Sequence, residues 1–160
     1  MAVTTISVSE IPIATRLTVV ATCAARQASS ARCVPPALAA GTIWVVAETN
    51  ADGTLAKSSA EVATLARTLA EAAKASAVGI VVAADPKAAA HELAGYVPRV
   101  VAIAEPAADG NAWAQVAAQR VAPILASEAP AAVLTGAGPD GRDVAGTLAA
   151  LLVSTADPVP

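Results

Sequence analysis

The stretch from Ala131 to Leu152 constrains the fold most, because it changes within a few residues from an apolar run to a glycine-rich turn and then to a helical pattern. Val133 and Leu134 lie in the apolar run. The helical pattern has one apolar face, made of Val144, Leu148, Leu151 and Leu152. Strand, turn and helix in this order form half of a βαβ unit, so we expect the helix to lie against a sheet.

The glycine-rich turn is the best candidate ligand site in the chain. Free backbone N–H groups at a helix N-terminus can hold an anion. The residues proposed for a phosphate-binding turn are Gly136, Gly138, Gly141 and Arg142. The glycine spacing matches a dinucleotide fingerprint, but that fingerprint normally opens the first βα unit and is followed by an acidic residue about 20 positions later. Because this turn lies in the last unit, a purely structural turn is favoured over a phosphate cradle.

Three earlier apolar runs alternate with helical patterns, which predicts parallel strands joined by helical crossovers. The runs are Ile43–Ala47, Val78–Ala84 and Arg99–Ala104. The expected fold class is α/β, a three-layer sandwich with an open, mainly parallel sheet. Ligands of such sheets bind beyond the carboxyl ends of the strands, and acidic residues dominate those ends here, with Glu48, Asp85 and Glu105 among them.

Local signals predict where the helices begin and where one of them is disturbed. Ser58 and Glu61 have the spacing of a capping box. Asp85 and Pro86 are typical of an N-cap followed by the first helical residue. Pro123 lies inside a helical pattern and predicts a kink or a break near residues 119–122, because an interior proline costs about 3 kcal/mol.

Composition limits the classes of function that the chain can have. The core must be built from small side chains, since 56% of residues are hydrophobic but only 2% are aromatic and none is Phe. The formal net charge of −3 disfavours nucleic-acid binding. No apolar run reaches the roughly 18 to 20 residues of a membrane-spanning helix. Cys23 and Cys33 are interpreted as incidental thiols.

Residues 1–41 show no clear periodicity and are interpreted as an unstructured arm or an unused N-terminal extension. Arginine, serine and alanine with few acids also describe a transit peptide, which would direct the protein to the mitochondrial matrix. Otherwise we expect a cytoplasmic protein of bacterial type. Residues 42–153 form the predicted α/β domain, and residues 154–160 form a tail in which two prolines disfavour a further strand.

The sequence offers no set of residues that could catalyse a reaction without a partner. His91 lies in a helical pattern without a nucleophile beside it and is interpreted as a solvated helix residue. Asp140 and Asp143 suit the first turn of a helix, where the macrodipole favours negative charge. We identify no catalytic triad, carboxylate pair or metal cluster, so a role other than catalysis is favoured.

Four segments together resemble the N-terminal domain of the electron-transfer flavoprotein alpha subunit. They are IWVVAETNADGTLAKSSAEVATLARTL, GIVVAADPKAAAHELAGY, RVVAIAEP and AAVLTGAGPDGRDVAGTLAALL. The resemblance covers Thr42 to Val153 and leaves residues 1–41 unmatched. Its most specific part is the Asp140-Gly141-Arg142-Asp143 turn before an Ala/Leu-rich helix.

The resemblance implies an adenine-nucleotide-hydrolase-like, Rossmann-like fold and pairing with a beta subunit. Such heterodimers carry electrons from dehydrogenases, such as the acyl-CoA enzymes of fatty acid β-oxidation, toward the quinone pool. In the family, FAD is held mainly by the C-terminal domain of the alpha subunit and AMP lies in the beta subunit. No flavin-binding residue of the family can be carried over to this sequence. The resemblance therefore implies a partial or truncated alpha subunit, a scaffold and docking domain that depends on a beta subunit and a missing FAD domain.

Two alternatives stay open at this point. The chain could be a stand-alone nucleotide-binding module similar to universal stress proteins, with phosphate held at Gly136–Gly141. It could also be a gene remnant that does not accumulate as folded protein, which a cooperative thermal transition would contradict.

Overall fold

The computed structural model describes residues 3–6, 41–108 and 113–156, and within this part the chain forms an α/β fold. The strands are β1 (Val3–Ile6), β2 (Thr42–Ala47), β3 (Ser76–Ala83), β4 (Arg99–Ala104) and β5 (Ala132–Thr135). The helices are α1 (Lys57–Ala73), α2 (Lys87–Leu93), α3 (Trp113–Glu128) and α4 (Pro139–Ala156), with a short 3₁₀ helix at Pro106–Ala108.

The strands form an open sheet in the order β1-β4-β3-β2-β5. The pairs β2/β3, β3/β4 and β2/β5 are parallel, whereas β1 is antiparallel to β4. In the register of the central strands, Val45 of β2 lies opposite Gly79 of β3 and Leu134 of β5. The prediction of an open, mainly parallel sheet is therefore confirmed.

Strand β2 is an uninterrupted apolar run because both of its faces are covered by helices. Side chains alternate between the two faces of a strand. Ile43 and Val45 point into the hydrophobic cluster formed with α1 and α2. Trp44 and Val46 point into the cluster formed with α3 and α4. Two cores on opposite faces of one sheet confirm the Rossmann-like three-layer sandwich; the finer likeness to adenine nucleotide hydrolases stays a prediction.

Two predicted helix starts are wrong in detail. Helix α1 has Ala56 as its N-cap and no side-chain capping hydrogen bond, so the capping box of Ser58 and Glu61 does not form. Pro86 is the N-cap of α2 rather than its first helical residue, and the Asp85 carboxylate accepts the Lys87 N–H at 3.3 Å. At α1 the hydrogen bonds of Ser59 with the Glu48 backbone outweigh the local capping preference of Ser58.

Helix α3 runs through Pro123 without interruption, so the predicted break is wrong. Pro123 is exposed, while the opposite face of α3 is buried against the sheet and α4. The buried residues of α3 are Ala114, Ala117, Ala118, Val121, Ala122 and Leu125. Burial of this face offsets the roughly 3 kcal/mol cost of the proline. The kink itself stays a prediction.

The interpretation of the two chain ends stays a prediction. Most of residues 1–41, with both cysteines, lie outside the described residues, although Val3–Ile6 form the edge strand β1. Helix α4 continues to Ala156, into the segment interpreted as a tail. Residues 109–112 also lie outside the described residues.

Gly79 should be intolerant of even a methyl group. A Cβ there would lie 2.5 Å from Leu93 Cδ2 and 3.1 Å from Val97 Cγ2, and both neighbours are fully buried. We expect Gly79→Ala to lower the free energy of unfolding by about 2 kcal/mol through overpacking, as measured by urea denaturation.

Gly146→Ala is the matched control. A Cβ at Gly146 in α4 meets nothing within 4 Å. This substitution should raise the free energy of unfolding by about 0.5 to 1 kcal/mol, because alanine is the better helix former. Equal stability of the two variants would contradict the close approach of α2 to the sheet at Gly79.

Candidate functional site

The strand order reverses between β2 and β5, which identifies the place where a sheet of this kind normally binds ligands. From β2 the chain continues through β3 and β4 on one side, and β5 then pairs with β2 on the other side. Val46 and Thr135 form the last pair of these two parallel strands. Glu48 and Gly136 therefore lie beside each other just beyond the carboxyl ends of β2 and β5.

The carboxyl group of Glu48 lies inside the glycine-rich turn. Its Oε1 is a close neighbour of Gly136 and would lie 2.6 Å from a Cβ placed on Gly141. Its Oε2 would lie 3.7 Å from a Cβ on Gly138. One carboxyl group, that of Glu48, therefore faces all three glycines of the proposed phosphate turn. We call this arrangement the Glu48–glycine contact.

Hydrogen bonds to α1 fix the backbone of Glu48. The Glu48 N–H donates to Ser59 Oγ at 2.7 Å, and the same hydroxyl donates to the Glu48 carbonyl at 3.3 Å. The Ala56 N–H also donates to that carbonyl, at 3.0 Å. Ser59 is only 1% exposed. Because its hydroxyl joins the end of β2 to the first turn of α1, the position from which the Glu48 side chain projects is well defined.

The Glu48 carboxyl has no compensating charge in the described part of the chain. Oε1 is buried and has no hydrogen-bond partner among the described residues. Burial, and secondly the negative charge of Asp140, raise the pKa of Glu48 above its ordinary value. The arrangement therefore penalises the ionised form of this side chain.

The four residues proposed for the phosphate turn fall into two pairs: Gly136 and Gly141 are buried, whereas Gly138 and Arg142 are joined by a backbone hydrogen bond at the start of α4. Gly136 and Gly141 are buried against each other, and a Cβ on Gly141 would collide with the Gly136 carbonyl. Gly138 precedes α4, and its carbonyl accepts the Arg142 N–H at 3.1 Å. The Arg142 side chain is exposed and forms no salt bridge within the described residues.

The start of α4 offers fewer donors than an open phosphate-binding helix. Pro139, its first residue, has no N–H group. The Arg142 N–H already donates within the chain. The N–H groups of Gly138, Asp140 and Gly141 are left as helix-start donors, and Asp140 also carries a negative charge.

A second carboxylate, Glu105, lies at the end of β4 and is held by the chain's own donors. The Ala107 N–H donates to Glu105 Oε1 at 3.2 Å, and Arg120 of α3 donates to Oε2. These contacts, the Ala107 N–H first, lower the pKa of Glu105. Glu105 therefore ties β4 to α3 in its ionised form and is not free to act as a base.

The remaining candidate residues do not converge on a reaction centre. His91 is exposed on α2, as interpreted from the sequence. Within residues 3–6, 41–108 and 113–156, no three His, Cys, Asp or Glu side chains could hold a metal ion together. No helix in the same part of the chain is long and apolar enough to cross a membrane.

Neither the Glu48–glycine contact nor the role of Ser59 is predicted from the sequence. The sequence pattern places Glu48 among the acidic residues at the strand ends, and it describes the start of α1 only in terms of helix capping. The pairing of β2 with β5 brings Glu48 to the turn, and this pairing joins segments far apart in the chain. The two glycines that lack room for a Cβ, Gly136 and Gly141, were the available signal that a side chain approaches the turn closely.

Gly141→Ala should destabilise the protein strongly, because the new methyl group would meet the Gly136 carbonyl and Glu48 Oε1 together. We expect a loss of about 3 kcal/mol in the free energy of unfolding, measured by urea denaturation. Gly138→Ala is the control, since its nearest neighbour would lie at an ordinary 3.7 Å, and it should cost less than about 1 kcal/mol. Comparable losses in the two variants would refute the close contact at Gly141.

Glu48→Gln should stabilise the protein at neutral pH. A raised pKa in the folded state means that ionisation of Glu48 lowers the free energy of unfolding. This loss of stability is absent below the ordinary pKa of 4.5 and appears as the pH rises through and above that value. We expect the variant to gain about 1 kcal/mol at neutral pH and almost nothing in acid, as measured by thermal unfolding over a pH series. A gain that is independent of pH would argue against an uncompensated carboxylate.

Comparison with known proteins agrees with this architecture. A search of curated protein sequences finds no match. The family model described as electron transfer flavoprotein domain matches residues 43–155, which include β2 to β5 and the Glu48–glycine contact. Because this match covers most of the chain, the protein belongs to the electron transfer flavoprotein domain family.

Proposed function

We propose that this chain acts as the N-terminal domain of an electron-transfer flavoprotein alpha subunit, a scaffold that docks a beta subunit. The observation that carries the proposal is the family match over residues 43–155. It agrees with the four segments that resemble the alpha subunit, including the Asp140-Gly141-Arg142-Asp143 turn. In this role the domain supports electron transfer from dehydrogenases, such as the acyl-CoA enzymes, toward the quinone pool.

The geometry supports a scaffold rather than a redox centre within the described residues. The family is associated with flavin, and a flavin dinucleotide carries a negatively charged pyrophosphate. At the switch point such a group would meet the Glu48 carboxyl and Asp140, and the Glu48 carboxyl already lies against Gly136 and Gly141. The residues described here do not fit the cofactor at this point, so the proposal assigns FAD to a part of the assembly other than this site.

The chain's own residues contribute rigidity in this proposal. Ser59 joins the end of β2 to α1, and Arg120 joins the end of β4 to α3 through Glu105. Trp113 adds a third link, because its Nε1–H donates to the Val82 carbonyl at 2.8 Å. Such links fix the helices on both faces of the sheet relative to the strands, as a docking domain requires.

The proposal places the protein in the bacterial cytoplasm. The mitochondrial matrix is the alternative if residues 1–41 are a transit peptide. The competing functional interpretation, a stand-alone nucleotide-binding module, requires phosphate at the glycine-rich turn, where the Glu48 carboxyl lies. No feature of the described residues favours that module over the scaffold.

Co-expression with the electron-transfer flavoprotein beta subunit of the same organism tests the proposal. We expect a single species with the summed mass of the two chains by size-exclusion chromatography with light scattering. Each chain purified separately and then analysed alone provides the control. Separate elution of the two chains after co-expression would contradict the docking role.

The absorbance spectrum of the chain purified alone tests the second part of the proposal. We expect no flavin absorbance in the visible region, because the switch point does not accommodate a pyrophosphate. A stoichiometric yellow flavin in the isolated chain would show that the domain is itself the cofactor-binding unit, and would refute its role as a scaffold.

A further inference from the structure

The switch point between β2 and β5 has the general features of an anion site. A glycine-rich turn precedes α4, and helix N-termini attract negative charge. Open parallel sheets bind their ligands at this position. A ligand would be expected to approach the three glycines, because they bring no side chain of their own between it and the backbone.

In this protein a carboxyl group of the chain itself takes that position. Glu48 Oε1 lies against Gly136 and Gly141, and Oε2 faces Gly138. Oε1 has no contact with solvent and no partner within the described residues, which is unusual for a buried acceptor. Burying an unpaired polar atom there costs free energy, so stability does not explain its position.

We propose that the Glu48 side chain closes the glycine-rich turn to phosphate-bearing ligands, by filling its concave side and by placing a negative charge there. Glu48 is thus a specificity-determining residue of the fold: its carboxyl turns a potential phosphate cradle into a closed structural turn. This inference does not depend on the beta subunit or on the proposed electron-transfer role.

Two further features support the closure. Asp140, at the start of α4, adds a second negative charge beside the carboxyl. The backbone of Glu48 is held by Ser59 and Ala56, so the side chain cannot leave the turn by a simple shift of the loop. The side chain would have to change its rotamer and carry Oε1 out of its buried position.

Removal of the carboxyl should open the site, and binding of inorganic phosphate and of AMP provides the test. Glu48→Ala and Glu48→Ser both withdraw the group, and the second keeps a small polar side chain in case the first does not fold. Binding is followed by calorimetric titration and by the backbone amide signals of Gly138 and Gly141 in NMR spectra. We expect both folded variants to bind the probes about tenfold more tightly than the unmodified protein.

Asp143→Asn is the matched control. Like the Glu48 substitutions it removes a carboxylate charge, but this carboxylate belongs to the first turns of α4. Asp143 is exposed and is not among the neighbours of the three glycines. It should leave phosphate and AMP binding as weak as in the unmodified protein. The proposal is overturned if the folded Glu48 variants bind phosphate and AMP no more tightly than the unmodified protein does.

Discussion

The burial of β2 on both faces and its pairing at both edges is the constraint on which the rest of the structure depends. Its residues from Ile43 to Ala47 are at most 1% exposed. Parallel partners on either side, β3 and β5, leave no backbone edge of β2 open. Since a strand in this environment must be apolar throughout, the first polar side chain after it, Glu48, lies at the edge of the core.

Small side chains set the distances between the layers. Alanine supplies much of the buried surface of α1 and α3, so these helices approach the sheet closely. Trp44 is the exception, a large side chain in full burial whose indole N–H donates to Thr42 Oγ1 at 2.9 Å. The two tight glycines have other neighbours: at Gly79 the room for a Cβ is taken by Leu93 and Val97, and at Gly141 by the Gly136 carbonyl and Glu48 Oε1.

Local pattern was enough to predict the layers but not the site. The apolar runs gave β2, β3 and β4 nearly to the residue, because continuous burial leaves a continuous apolar run. Strand order joins distant segments, so the position of β5 beside β2, and with it the contact of Glu48 with the turn, could not be predicted from spacing. Helix starts were predicted from capping rules, and at α1 the tertiary contact of Ser59 with Glu48 outweighed them. At Pro123, packing of the opposite face of the helix outweighed the local preference in the same way.

The central claim is that the switch point of this family member is closed by an uncompensated carboxyl group of the chain itself. Direct observation of the Glu48 side-chain carboxyl by carbon NMR through a pH titration tests it most directly. The account predicts that Glu48 titrates above its ordinary value of 4.5, and that the amide signals of Gly136 and Gly141 follow the same curve. Titration at or below that value, with the glycine signals unchanged, would contradict it.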